Sequence, residues 1–291
     1  GQPWGGTISI NAGAKYTTSR TVTLTLFCDD WGSGVRYMRF SENMGAWGSW
    51  YYYATSFSFT LTSAGDGYKS VDVQFADYWA YTTTAWTIWD GIYLDTVAPT
   101  GSIIINSGNP TYTTTTSVTL YLTYSDAGSG VYQVRYGNAG GTWGAGEAPV
   151  ATKAWTLASG DGTKGVYYQI KDNAGLISQY YDSIVLDTVA PFTTISHSPG
   201  SSSVSLSATD ATSGVLATYY RIDLGSWITY VSPFTLTGTG SHTIDYYSKD
   251  NAGNTEATKQ LKVHYLTVST DPAGITTISG TAVSYTHLRA H

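Results

Sequence analysis

The chain has 291 residues, 12% of them charged, and a formal net charge of −6, with 25 Tyr, 10 Trp, 2 Met and 1 Cys. Charged residues run at about half their usual share, while the abundant Thr, Ser, Val and Tyr favour strands and turns. No basic run is present to hold a phosphate backbone, and no apolar run approaches the ~20 residues that cross a bilayer; neither a nucleic-acid partner nor a membrane span is expected in this segment.

The first strand is expected at residues 7–10, followed by the turn-prone Asn11, Ala12 and Gly13. Val22, Leu24, Leu26 and Cys28 alternate with period two, the pattern of a half-buried strand. The lone cysteine has no partner for an internal disulfide and reads as a core residue rather than a reactive thiol. Residues 29–34 read as a loop and 35–40 as the next strand. Trp47, Trp50, Tyr51, Tyr52 and Tyr53 follow a glycine-containing turn, and residues 57–61 alternate again. Residues 63–67, with Asp66-Gly67, read as a hairpin-type turn. Val71, Val73 and Phe75 line one face of a sixth strand, and a seventh, at residues 86–94, runs into a linker.

That linker is a repeat. Leu94-Asp95-Thr96-Val97-Ala98-Pro99 returns unchanged as Leu186-Asp187-Thr188-Val189-Ala190-Pro191. A six-residue identity at one long period marks a tandem architecture. Proline lacks an N–H and disfavours helix before it, so the string reads as a strand end passing into a short stiff joint. Between the copies the order of elements is replayed. Asp126-Ala127-Gly128-Ser129-Gly130-Val131 matches Asp30-Trp31-Gly32-Ser33-Gly34-Val35, and Trp143 follows Val131 at the distance that Trp47 follows Val35. The third unit keeps Asp210-Ala211-Thr212-Ser213-Gly214-Val215 and Trp227. Its Lys249-Asp250-Asn251-Ala252-Gly253 is identical to Lys171-Asp172-Asn173-Ala174-Gly175 in the second.

The expected fold class is therefore all-β: tandem Ig-like or fibronectin-III-like β-sandwiches, with about seven short strands per unit. The expected boundaries are 1–97, 98–190 and a shorter 191–265, then 266–282 as the truncated start of a further unit. Residues 283–291 resemble a translated sequencing adapter, and Gly1 is not an initiator Met, so a fragment of a longer reading frame assembled from environmental DNA is expected.

Three stretches carry a family resemblance. Tyr220-Arg221-Ile222-Asp223-Leu224-Gly225-Ser226-Trp227, then Pro233-Phe234-Thr235-Leu236, then residues 242–254 resemble the Ig-like repeat of large secreted bacterial and archaeal proteins, the type also known from a leptospiral outer-membrane protein. The first two units resemble a related repeat carrying Asp-x-x-Ser-Gly-Val and Asp-Thr-x-Ala-Pro. The resemblance implies spacers, adhesive arms or accessory modules of surface enzymes, and an extracellular or cell-surface location.

Two groups of residues are candidate sites. In a sandwich of this order, the loops after the second and sixth strands lie at the end where the linker enters. This gathers Asp95, Asp126 and Asp172 in the second unit and Asp187, Asp210 and Asp250 in the third. Asn173 and Asn251 are placed to add side-chain oxygens. Ca²⁺ takes about 6–8 oxygen ligands, so three carboxylates with loop carbonyls fit such an ion at the joint. The same acids serve equally well as caps of Asx-turns beside glycine. The first unit has Asp30 and Asp77, but no incoming linker acid, and Tyr78-Trp79-Ala80 where the others have Asn-Ala-Gly. The second group is aromatic: Trp50, Tyr51, Tyr52 and Tyr53 can stack on sugar faces or anchor a protein. The recurring Trp47, Trp143 and Trp227 read instead as shared packing residues, and at least one of Tyr51 to Tyr53 must face solvent.

His197, His242 and His264 pair with no nucleophile at motif spacing, and no metalloprotease, nucleophile-elbow or phosphate-loop motif is present, so no enzymatic activity is expected. The expected function is a non-catalytic spacer or adhesive segment of a large microbial surface or secreted protein. Its partners would be neighbouring domains of its own chain and an extracellular glycan or protein. The alternative is a set of carbohydrate-binding accessory modules of a secreted hydrolase.

Overall fold

The structure, a computed structural model, describes residues 2–83, 87–108 and 110–265. The proposed further unit at 266–282, the adapter-like tail at 283–291 and the expected start of the seventh strand at residue 86 lie outside the described residues. Among those described, every regular element but one short 3-10 turn, Asn11–Gly13, is a strand.

The first eight strands are β1 (Trp4–Ile10), β2 (Tyr16–Thr17), β3 (Thr21–Asp29), β4 (Val35–Glu42), β5 (Tyr51–Tyr52), β6 (Ser56–Thr60), β7 (Gly67–Asp77) and β8 (Trp89–Leu94). They form two sheets, of order β1-β3-β6 and β2-β8-β7-β4-β5. Strict alternation along β3 sends Val22, Leu24, Leu26 and Cys28 inward, where they meet Met38, Phe40, Val71, Val73, Phe75 and Ile92 of the other sheet. Each such burial contributes about 1.5–3 kcal/mol, which lets a unit of this size stand without disulfides. Burial pushes the Cys28 thiol up to about 11, with Asp29 and Asp30 adding to the shift against a backbone hydrogen bond, so it is an inert core residue.

The middle strands are β9 (Thr100–Ile105), β10 (Tyr112–Thr113), β11 (Ser117–Ser125), β12 (Val131–Asn138), β13 (Thr152–Thr156), β14 (Gly162–Asp172) and β15 (Ile177–Leu186). Their sheet orders are β13-β11-β9 and β10-β15-β14-β12. The last seven are β16 (Phe192–His197), β17 (Ser203–Thr209), β18 (Val215–Ile222), β19 (Ile228–Thr229), β20 (Phe234–Thr235), β21 (Gly240–Asp250) and β22 (Lys259–Tyr265). These make sheets β16-β17-β20 and β19-β18-β21-β22 around Val204, Leu206, Leu236, Ile244, Tyr246, Leu261 and Val263. By internal contacts the described residues divide into two compact units, one within residues 2–103, 121–153 and 167–181, the other within 104–120, 154–166 and 182–265.

One expectation needs correction. Residues 63–67 are not a hairpin, because β6 pairs with β3 while β7 pairs with β4 and β8. The chain here crosses from one sheet to the other. Asp66 instead accepts the Thr96 N–H at 2.7 Å and the Thr96 hydroxyl, tying the crossover to the linker. Asp161 takes the Thr188 N–H at 3.1 Å and its hydroxyl at 2.9 Å in the same way. An Asp-Gly pair signals a reversal, but the strand it leads to is set by distant pairing. Val71, Val73 and Phe75 line the inner face of β7 as expected, and the outer face of its second half is buried as well. Gln74 is covered because Arg39 donates to its Oε1 at 2.9 and 2.7 Å, and its amide donates to the Thr83 carbonyl at 2.9 Å.

Asp72 on that same outer face is fully buried; one oxygen accepts the Met44 N–H at 3.3 Å and the other has no partner among the described residues. Burial raises its pKa, against the lowering effect of that one N–H. A carboxyl whose folded pKa is raised contributes most below the unfolded value, near ~3.9, and loses that contribution as pH rises through the folded value. Asp72→Asn is therefore expected to raise the thermal midpoint at pH 7.5 by a few degrees, with the gap to the parent closing near pH 3. Paired melts at the two pH values check this; an equal gap at both, or a lower midpoint at pH 7.5, contradicts it.

Candidate metal centre

The linker acids are held from both sides. Asp95 follows β8 directly and donates its N–H to the Thr17 carbonyl at 2.9 Å. Its carboxylate is 1% exposed, with Oδ1 accepting the Val97 N–H at 3.2 Å and Oδ2 the Ser129 N–H at 2.7 Å. Ser129 belongs to the loop after β11, so the linker is pinned to the strands that follow it. Asp126 opens that loop and accepts the Gly130 N–H at 2.6 Å. Asp172, also 1% exposed, ends β14 and uses Oδ1 to accept the Gly175 and Leu176 N–H groups at 2.6 and 2.8 Å. Burial raises the Asp172 pKa, opposed by those two backbone donors and reinforced by the charges of Asp95 and Asp126.

The second set repeats the first. Asp187 accepts the Val189 and Ser213 N–H groups at 3.2 and 3.0 Å, Asp210 the Gly214 N–H at 2.7 Å, and Asp250 the Gly253 and Asn254 N–H groups at 2.7 and 2.8 Å. In each set one carboxylate oxygen from every acid lies within 4.8 Å of the others. An ion at ~2.4 Å from each of two oxygens holds them up to ~4.8 Å apart, so both sets have the span of a Ca²⁺ site. Sequence spacing had brought these six acids together, and the structure places them so.

The asparagines play another part than expected. Asn173 donates its amide to the Ser129 and Gly130 carbonyls at 3.0 and 2.9 Å, and Asn251 donates to Ser213 and Gly214 at 2.8 and 3.0 Å. They staple two loops together rather than presenting an oxygen through these bonds. Sequence reasoning missed Ser129 and Ser213, although the repeated Asp-x-x-Ser-Gly marks both. In the first unit two acids alone remain: Ser33 donates its hydroxyl toward Asp30 and Asp77, 3.1 Å from each, while Asp77 caps the Trp79 and Tyr81 N–H groups at 2.8 and 2.9 Å.

The aromatic candidates divide. Tyr51 packs on Phe57 with centroids 4.8 Å apart, and Tyr53 packs on Phe75 at 5.8 Å while its hydroxyl accepts the Cys28 N–H. Tyr52 is 71% exposed, with one ring face stacked on Tyr37 at 5.5 Å. Trp50 lies 4.5 Å from the Arg39 guanidinium. The recurring tryptophans share that arrangement, with Trp47 over Arg39, Trp143 over Arg135 and Trp227 over Arg221 at 4.7–5.0 Å. Each of these arginines also donates Nε to a strand neighbour: Gln74, Gln169 or Asp245. Cation–π packing, rather than ligand contact, accounts for the repeated Trp.

These strands and sheets define an all-β protein built of Ig-like, fibronectin-III-like sandwiches. No protein-family model matches the chain, and no curated protein does. Many solved structures are similar to it, among them the following three. The fibronectin(III)-like modules of Clostridium thermocellum CbhA share 12% identity over 62% of this chain and 92% of theirs, with a TM-score of 0.39. A tetra-tandem repeat from the extending region of a large adhesion protein shares 16% over 89% of this chain and 74% of its own, at 0.31. A 1.5-MDa bacterial ice-binding adhesin structure shares 16% over 89% of this chain and 96% of its own, at 0.44.

Gly128 has a further constraint. A Cβ there would stand 2.5 Å from both Cγ and Oδ1 of Asp95, whereas the matching position in the second set already carries Thr212. Gly128→Ala is expected to cost about 1–3 kcal/mol through this overlap, and Thr212→Ala about 0.5 kcal/mol or less. Urea denaturation of the two variants measures the difference; equal costs contradict it.

Proposed function

We propose that this chain is a non-catalytic, extracellular spacer or adhesive segment of a long surface or secreted protein, with its stacked sandwiches joined stiffly and Ca²⁺ reinforcing the joints. The observation that carries the reading is the linker acid. The same Asp, in the same hexapeptide, is buried twice under the loop that follows and accepts the same Ser N–H. A linker so fixed on both sides transmits orientation instead of acting as a free swivel. The partners in this reading are neighbouring domains of the same chain, and an extracellular glycan or protein at the surface.

Small-angle scattering of the full chain tests the stiffness. The triple variant Pro99→Gly, Pro191→Gly, Asp95→Ala is expected to broaden the distance distribution relative to the parent. Superimposable curves would mean the joints were already loose, and the spacer reading would fall.

One observation favours a second reading, carbohydrate binding: the exposed Tyr52 ring beside Trp50. A glycan array with the parent, Trp50→Ala and Tyr52→Ala separates the two. Silence of the parent across all sugars is the result expected of a spacer; a signal lost in both variants replaces it with an accessory binding module.

A further inference from the structure

We propose that the two aspartate triads differ in kind: Asp95, Asp126 and Asp172 take one Ca²⁺, while Asp187, Asp210 and Asp250 are closed by the Asn254 side-chain amide and stand without an ion. This rests on the cation reading of the triads given above and narrows it to one of them.

The two sets share most of their bonds, although Asp210 also accepts the Thr212 and Ser213 N–H groups at 3.2 and 3.0 Å where Asp126 takes the Gly130 N–H; the difference that bears on an ion lies at the residue after Gly175 or Gly253. Where the second set has Asn254, the first has Leu176. Asn254 donates its amide to Asp250 Oδ2 at 2.8 Å and to the Asp187 carbonyl at 2.9 Å, so both oxygens of Asp250 have donors. Leu176 gives its backbone N–H to Asp172 Oδ1, but its side chain has no donor for Oδ2. Among the described residues Asp172 Oδ2 is buried without a hydrogen-bond partner, in a residue 1% exposed and grouped with two further carboxylates. An acceptor buried in this state costs free energy, more so when charged. An N–H is what Asn254 supplies to that oxygen in the second set; in the first, a cation held among the three carboxylates would supply the missing partner. The donors are all oxygens, which selects a hard ion. Ca²⁺ tolerates an irregular shell completed by carbonyls and water, whereas Mg²⁺ demands near-octahedral geometry.

The test is Ca²⁺ binding to the full chain, stripped of metal, by isothermal titration, with Mg²⁺ as the competing ion. The parent is expected to take one Ca²⁺, and Leu176→Asn none. Asn254→Leu, which removes the amide from the second set, is expected to take two. Asp172→Asn is expected to abolish the single site; if it does not fold by circular dichroism, Leu176→Asn carries the same test. Two ions in the parent would overturn the asymmetry while leaving the triads as cation sites. No ion in the parent or in Asn254→Leu would overturn the cation reading itself. One ion that survives Leu176→Asn but is lost in Asp210→Asn would place it in the wrong triad.

Discussion

The joints depend on a carboxylate placed out of water at the seam between a linker and the loop that follows. Asp95 and Asp187 are 1% and 0% exposed, and each is held by backbone N–H groups rather than by a counter-charge. Hydrogen bonds to an ionised acceptor are stronger than neutral ones, and the backbone donors are fixed in place by their own strands. Their geometry accounts for an aspartate at the same place in both copies of the linker. A longer or shorter side chain would miss Ser129 or Ser213, and a looser backbone would not deliver it.

Much of this was legible in the residues. Period-two alternation at Val22, Leu24, Leu26 and Cys28 located a core strand with its correct inward face. The matched loops after the strands, read with the linker, grouped six acids that the fold does bring together. This worked because the loops of a sandwich gather at its ends, so strand count alone tells which loops are neighbours.

What the residues did not reveal was anything that depends on partner choice across sheets. The crossover at Asp66-Gly67 resembles a hairpin in sequence, since the turn chemistry is the same in both cases. The burial of Gln74 on the outer face of β7 goes with its bonds to Arg39 and Thr83, and that of Asp72 with the Met44 N–H, none of which periodicity along β7 announces. The arginines beneath Trp47, Trp143 and Trp227 were hidden for the same reason, and with them the plain structural cause of the repeated indoles. The difference between Leu176 and Asn254 is visible in the sequence, but its meaning needs the position of Asp172 Oδ2.

Strand β2 lies parallel to β8, pairing Tyr16 with Tyr93 and Thr17 with Leu94, and β10 lies parallel to β15, pairing Tyr112 with Val185 and Thr113 with Leu186. The bonds from Tyr93 N–H to Lys15 and from Asp95 N–H to Thr17 sit side by side, as do those from Val185 to Thr111 and from Asp187 to Thr113. Tension drawn through the backbone would run along these short parallel pairs and strain their bonds in shear, together, rather than peeling them open one after another. Under such a load each junction would resist as a latch, with its anchoring amide contributed by the very aspartate whose side chain bonds to the loop that follows.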